Sequence, residues 1–230
     1  MNSTSAIVLA AGRGRRLKTR VSKPLIKIKF LPILIYSLKK LSLNRQIREI
    51  ILVVNKLNQA GVWRAVKKYR IRKVTHIVLG GLRRQDSVYN GLRKINSQAN
   101  LVLIHDSARP FIDRKSLSSV IKEAQIQGAA ILAIPLKATV KYASRQYFVK
   151  DTLNRDNLWE IQTPQVFKKE LIQKAYKRFG NIEVTDDAAL VERLGAKVKI
   201  VPGPYFNIKI TTPEDLIVAR AIAKYTESRR

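Results

Sequence analysis

Short apolar runs recur along this chain, and the segments between them carry apolar residues at helical spacing. The runs are Ala6–Leu9, Glu49–Val54, Val74–Leu79, Leu101–His105 and Ala129–Ile134. Pro32–Leu43, Gln59–Tyr69, Arg84–Ile95 and Arg114–Gln127 lie between them and read as helices. Pro32 suits a first helical turn, and Gly128 suits the end of the fourth helix. Strands joined by helices run parallel, and a parallel sheet must be covered on both faces. The expected class is therefore α/β: a Rossmann-like, mostly parallel sheet with helices on both faces.

The alternation breaks at residues 136–158. Ala138–Tyr142 and Tyr147–Asp151 flank "ASRQ" and predict an inserted β-arm, a hairpin projecting from the body. Helices are expected again at Lys168–Phe179 and Asp186–Leu194, and strands at Lys197–Val201 and Phe206–Ile210. The last helix opens on "TTPED", with Thr212 as N-cap, Pro213 in the first turn and Asp215 closing a box-like cap. No repeat or linker interrupts the chain, so residues 1–230 are expected to form one domain with the arm inserted in it.

Composition narrows the chemistry. The chain has no cysteine, which excludes disulfides, thiolate metal sites and cysteine nucleophiles. A hydrophobic content of 46% over 230 residues suffices for a buried core. No basic-then-apolar leader precedes Ala6, and no apolar run approaches the roughly 18 residues that span a bilayer. A cytoplasmic protein without membrane attachment is expected. The formal charge of +29 attracts polyanions, whether phosphate-bearing substrates or nucleic acid. The cations run from Arg13 to Arg230 without one dominant basic tail, which reads as a solvated surface and not as a specific nucleic-acid site.

The first strand leads into "LAAGRGRRLKTRVSKPLIKI", residues 9–28. Glycines at 12 and 14 allow a sharp turn and a close approach of main-chain N–H groups to an oxyanion. A dinucleotide fingerprint needs a further glycine at position 17, which is Leu17, so a nicotinamide oxidoreductase is disfavoured. The Gly-Lys-Ser/Thr ending of a P-loop is also missing. Spacing alone leaves a plain tight turn and a phosphate cradle equally open. Arg16 and Lys23 tip the reading toward phosphate, since fixed cations there would stabilise charge that develops on an attacked phosphorus. His76 and His105 lie within strands, away from any ligand-spaced partner, and read as structural; Trp159 reads as packing.

Six segments in order carry a resemblance: "AAGRGRRLKTRVSK", "GGLRRQDSVYNGL", "VLIHDSARPFI", "LWEIQTPQVF", "TDDAALVE" and "FNIKITTPEDL". Together they resemble the 2-C-methyl-D-erythritol 4-phosphate cytidylyltransferases, nucleotidyltransferases of the non-mevalonate isoprenoid pathway. The resemblance covers about residues 5 to 225. It implies CTP and a polyol phosphate as substrates, in-line attack on the α-phosphorus, Mg²⁺ as cofactor and a homodimer in which one subunit's arm completes its mate's site. By the same resemblance Arg16 and Lys23 are the transition-state cations. Ala10, Ala11, Gly12 and Gly14 match the nucleotide loop, and Gly81 and Ser87 match positions that read the cytosine edge. Asp106 matches the magnesium-associated aspartate. Arg109, Thr139, Arg155, Thr163 and Lys209 match positions around the polyol phosphate, with Arg109 and Thr139 candidates to act across the twofold.

Each residue also has a plainer reading: Asp106 as a strand-end cap, Arg155 as a surface cation, Lys209 as an outward lysine, Ser87 as a helix cap. The chain departs from the family pattern at Ser22, which stands where proline is common, at Leu82, where an acid is common, and at Ala138, where aspartate is common. Ribitol 5-phosphate cytidylyltransferase, with the same chemistry, is the nearest alternative; "NRDNLWEIQTPQ" fits the methylerythritol branch better. A basic nucleic-acid-binding protein is the alternative outside enzymes.

Overall fold

Alternate residues of the inner strands are apolar toward both sides, so each strand is buried on two faces. The computed structural model, which describes residues 3–19 and 21–227, shows where those faces go. In chain order the elements are β1 (Thr4–Leu9), β2 (Lys27–Ile28), β3 (Leu31–Pro32), α1 (Ile33–Leu43), β4 (Ile47–Val54), α2 (Gln59–Lys68), β5 (Val74–Leu79), α3 (Arg84–Leu92) and β6 (Leu101–Asp106). They continue with α4 (Arg114–Gln127), β7 (Ala129–Pro135), β8 (Val140–Ala143), β9 (Val149–Leu153), β10 (Trp159–Lys168), α5 (Lys169–Phe179), α6 (Ala188–Glu192), β11 (Lys199–Pro202) and α7 (Pro213–Glu227).

Seven strands form one sheet in the order β11-β7-β10-β6-β1-β4-β5. All neighbours pair parallel except β10, which runs antiparallel to both β6 and β7. Ala6, Val8, Ile50, Leu52 and Leu103 point to one face, against Leu34, Leu38 and Ile35 of α1, Val62 of α2 and Leu117, Val120 and Ile121 of α4. Ile7, Ile51, Val53, Val102 and Ile104 point to the other, against Val88 and Leu92 of α3, Ile172 and Ala175 of α5, and Leu190 of α6. The doubly covered, mostly parallel sheet read from the sequence is the fold. A third apolar cluster joins Leu17, Ile28, Ile33 and Ile210 to Leu216, Ala219 and Ala223, and seats α7 on the small β2–β3 hairpin.

Local chemistry sets the bounds. The Asp113 carboxylate caps α4 by accepting from the Ser116 N–H at 2.7 Å, and Gly128 ends it with φ 90°. Gly91 lets α3 lie close on β1: a Cβ there would stand 2.7 Å from Ile7 Cγ2. At the start of α7, Asp215 accepts from the Thr211 and Thr212 N–H groups and from the Thr211 hydroxyl.

Three expectations change. Phe206–Ile210 is not a strand; Asn207 N–H turns back to the Pro204 carbonyl and Ile210 N–H reaches the Ala108 carbonyl, so no ladder forms. The helices expected over Arg84–Ile95 and Asp186–Leu194 are shorter, α3 ending at Leu92 and α6 spanning Ala188–Glu192. The sequence reading did not assign β10 at all, because Gln162, Thr163, Pro164 and Gln165 interrupt its apolar pattern. The strand bulges over those residues, with its register shifting between Ile161 and Gln165, and the Thr163–Pro164 bond is cis.

The arm appears as β8 and β9, paired antiparallel as a separate two-stranded sheet. Its pairing begins and ends about two residues later than expected. At its tip Tyr147 is 92% and Phe148 75% exposed.

Candidate active site

The crevice lies beyond the C-terminal ends of β1, β4 and β6, where ligands bind in open α/β sheets. Three segments meet there: the glycine loop after β1, the loop from Gly80 into α3, and Asp106 with the segment that follows β6.

The glycine loop is held from beneath. Ala10 N–H donates to the Val53 carbonyl at 2.7 Å. The Ala10 carbonyl accepts from Asn58 Nδ2 and the Ala11 carbonyl from Asn55 Nδ2, both at 2.9 Å. Asn55 and Asn58 also bond each other's main chain reciprocally, which fixes both side chains. The sequence reading missed this pair; two asparagines just past β4 were the only signal. Gly14 sits at φ 63°, and a Cβ there would come within 2.9 Å of Lys23 Cβ. A Cβ at Gly12 would meet no protein atom within 4 Å, so the space over that residue is open.

Gly80 presses this loop against α3, since its Cβ would lie 2.6 Å from Ser87 Oγ and 2.7 Å from Ala11 Cβ. The Gly81 N–H donates to Ser87 Oγ at 3.2 Å, and that hydroxyl donates to the Arg83 carbonyl. Ser87 therefore lies one turn inside α3 and not at its cap; the cap is Arg83, whose N–H bonds the Asp86 carboxylate at 3.0 Å. Ala10, Ala11, Gly81 and Ser87 are thus brought to one wall. Leu82, beside them, is fully exposed.

Opposite stand the charges. Lys209 Nζ lies 2.6 Å from Asp106 Oδ2, so the lysine turns toward the site. Arg84 Nε lies 3.4 Å from Asp106 Oδ1. Burial alone would raise the Asp106 pKa; Arg84 and Lys209 outweigh it and hold the carboxyl well below the usual range. Lys23 opens a short 3-10 turn, with Pro24 after it. Burial first, and then the nearby Lys209, lowers its pKa to about 8. A cavity of about 470 Å³ continues from here, lined by Arg16, Arg109, Glu160, Tyr205, Lys209 and Asp215 among others.

Thr163 and two of the three Arg109 guanidinium nitrogens bond to the protein itself. The Asp106 N–H donates to Thr163 Oγ1 at 3.0 Å, Thr163 Oγ1 lies 3.1 Å from His105 Nδ1, and His105 Nε2 lies 3.1 Å from the Arg109 carbonyl. One tautomer satisfies the whole chain, with the histidine proton on Nε2 and the threonine hydroxyl donating to Nδ1. Burial pushes His105 down to about 4, so it is neutral. Arg109 is buried; its Nη1 donates to the Asn207 carbonyl at 2.7 Å and its Nη2 to the Ile161 carbonyl at 3.1 Å. It lines the cavity of its own chain.

Thr139 and Arg155 do not join this cluster. Both are exposed on the arm, Arg155 bonding the Lys137 carbonyl. Among the described residues no group of three or more histidine, aspartate or glutamate side chains is placed to hold a metal. Asp106 is a single carboxylate beside two cations. That donor set fits a Mg²⁺ ion shared with substrate phosphates, which needs only one or two carboxylates, and does not fit an all-protein cage.

The family model described as 2-C-methyl-D-erythritol 4-phosphate cytidylyltransferase matches residues 4–225. The chain belongs to that family. A cytidylyltransferase of this name from Clostridium novyi is 46% identical over 226 residues, covering 96% of this chain and 97% of the relative. One from Pelotomaculum thermopropionicum is 43% identical, covering 100% and 98%. The crystal structure of 4-diphosphocytidyl-2C-methyl-D-erythritol synthase from Anaerococcus prevotii superposes with a TM-score of 0.85 at 36% identity, covering 97% of this chain and 96% of that one. The cytidylyltransferase structure from Thermus thermophilus gives 0.79 at 29% identity, covering 97% and 100%. In this cytidylyltransferase chain no helix among the described residues is long and apolar enough to cross a membrane.

Proposed function

We propose that the chain transfers the cytidylyl group of CTP to 2-C-methyl-D-erythritol 4-phosphate, forming 4-diphosphocytidyl-2-C-methyl-D-erythritol and pyrophosphate in the cytoplasm. The observation that carries this reading is the convergence of Lys23, Lys209 and Arg16 beside Asp106, at the end of the sheet where the open glycine loop lies. A phosphate oxygen of the acceptor attacks the α-phosphorus. The bond from that phosphorus to the bridging oxygen breaks, and pyrophosphate leaves with the electron pair. No covalent enzyme intermediate is needed, so the protein contributes position and charge.

The nucleotide lies along the wall made by Ala10, Ala11, Gly12 and Gly14, with its base toward Gly81 and Ser87. Lys23 and Arg16 stabilise the charge that grows on the phosphates. Asp106 would share Mg²⁺ with the phosphates, and that ion, when bound, neutralises their oxygens. The acceptor occupies the cavity by Lys209 and Arg109, with Thr163 holding the Asp106 end of β6 in place. Thr139 and Arg155, exposed on the arm, act in the site of a second copy, which makes the working unit a homodimer. The high positive charge, spread over a solvated surface, does not imply a specific nucleic acid.

The test is CTP-dependent pyrophosphate release with methylerythritol phosphate and ribitol phosphate in turn. Turnover is expected with the first; faster turnover with ribitol phosphate overturns the acceptor assignment. Filter binding across salt concentrations addresses the non-enzyme reading, which tight, sequence-selective binding at moderate salt would favour.

A further inference from the structure

Arg84 is the first residue of α3, directly after the loop that carries Gly81, and its guanidinium lies between two acids. Nε faces Asp106 Oδ1 at 3.4 Å, and Nη1 faces Asp187 Oδ2 at 2.8 Å. The contact to Asp187 is a close ion pair, and the contact to Asp106 is a longer hydrogen bond. Asp187 has a side chain only 1% exposed; its Oδ1 accepts from the Tyr176 hydroxyl at 2.6 Å, and its N–H donates to Gln165 Oε1 at 3.2 Å. Gln165 belongs to β10 and also donates to Asp186 at 2.7 Å. Asp187 is thus fixed by groups from α5 and β10, and it fixes Arg84 in turn. The longer contact, to Asp106, is made by an arginine that is already oriented.

Lys209 pulls on Oδ2 of Asp106 from the opposite side. Lys209 already pairs with Oδ2 at 2.6 Å, but a single partner on one oxygen would leave the carboxylate free to turn about its Cβ–Cγ bond. A second cation on the other oxygen sets the plane of the carboxylate and divides its attraction. A guanidinium presents its donors in a rigid planar fork that spans two carboxylates, whereas an ammonium is a point charge whose donors share one nitrogen. Outer groups that orient a functional carboxylate are worth roughly 10- to 100-fold in activity at comparable sites.

We infer that Arg84 is a positioning residue: held by Asp187, it fixes the orientation of the Asp106 carboxylate beside Lys209. This rests on the reaction proposed above. The test is a double-mutant cycle of Arg84→Met and Asp106→Asn, with turnover followed by pyrophosphate release and folding by thermal melts. Arg84→Met is expected to lower kcat/KM about 10-fold or more in the parent and less than about 2-fold in the Asp106→Asn background. Equal losses in both backgrounds overturn the inference, because damage unrelated to Asp106 would be additive. Arg84→Lys is expected to recover only part of the loss; full recovery overturns the spanning role. Where Arg84→Met does not fold, Asp187→Asn takes its place in the cycle, with the same non-additivity expected and the same additivity fatal. A parent enzyme with no activity on CTP and methylerythritol phosphate overturns the reaction itself, whereas an active parent with additive losses overturns Arg84's role alone.

Discussion

Lys23 titrates within the range of an ordinary assay. Its pKa is lowered to about 8, chiefly by burial and then by Lys209. A lysine is cationic below its pKa, so the free enzyme carries the charge that attracts CTP below about pH 8 and loses it above. We expect kcat/KM for CTP to fall as pH rises past that value, approaching a slope of about one decade per pH unit. Lys23→Arg, which stays charged, is expected to flatten that limb of the pH–rate profile; an unchanged midpoint in Lys23→Arg would assign the titration elsewhere. Lys23→Ala and Arg16→Ala are each expected to keep the fold, seen by circular dichroism, and to lower turnover by about 10²–10³-fold, the scale for one preorganised electrostatic donor. Near-normal turnover in either variant refutes its role. These residues were legible in the sequence because glycines and cations crowd one turn after a strand. Asn55, Asn58, Arg84 and Asp187 were not, since their partners lie on other elements and no local pattern announces the contact.

At the scale of the element, the fully buried strands declared themselves. β4 and β6 are apolar because both of their faces are covered, and α4 was read to the residue, with Gly128 marking its end; the Asp113 cap at its start was not read. β10 was hidden for the opposite reason: it carries Thr163 and Gln165, whose polar groups serve Asp106 and Asp187. Phe206–Ile210 misled because apolar residues can enter a core without entering a ladder; Ile210 packs with Leu17 and Leu216. The glycine loop offers a test at this scale. Gly14→Ala places an L-residue at φ 63° and a methyl group 2.9 Å from Lys23 Cβ. Left-handed backbone costs roughly 1–2 kcal/mol for such a residue, so the melting temperature should drop by about 2–8 °C. Lys23 must also shift, and calorimetry should show weaker CTP binding. A variant with unchanged melting and affinity would mean that the loop does not hold Lys23.

For the whole molecule, the arm is the part that the chain leaves least covered. Its aromatic tip stands in solvent, and Arg155 and Thr139 are exposed at its base. Replacing residues 140–153 by a short turn is expected to give a monomer by light scattering, with CTP binding kept and turnover lost. Arg155→Ala is expected to raise KM for the polyol phosphate more than for CTP. A truncated chain that remains dimeric would remove the arm from the interface, and equal KM changes would remove Arg155 from the acceptor site.

The strand order also governs assembly as the chain leaves the ribosome. β7 follows β6 in sequence but never touches it; β10 stands between them, and β11 closes on β7 from outside. β5, β4, β1 and β6 are all complete once Asp106 has been made, whereas β7 has no neighbour until residues 159–168 fold back into the gap. Until then the edge of β6 stands open, and unpaired edges invite association with other chains. Synthesis that stalls between Asp106 and Trp159 therefore leaves a sticky half-sheet, and the same late strand that shields that edge delivers Thr163 to Asp106.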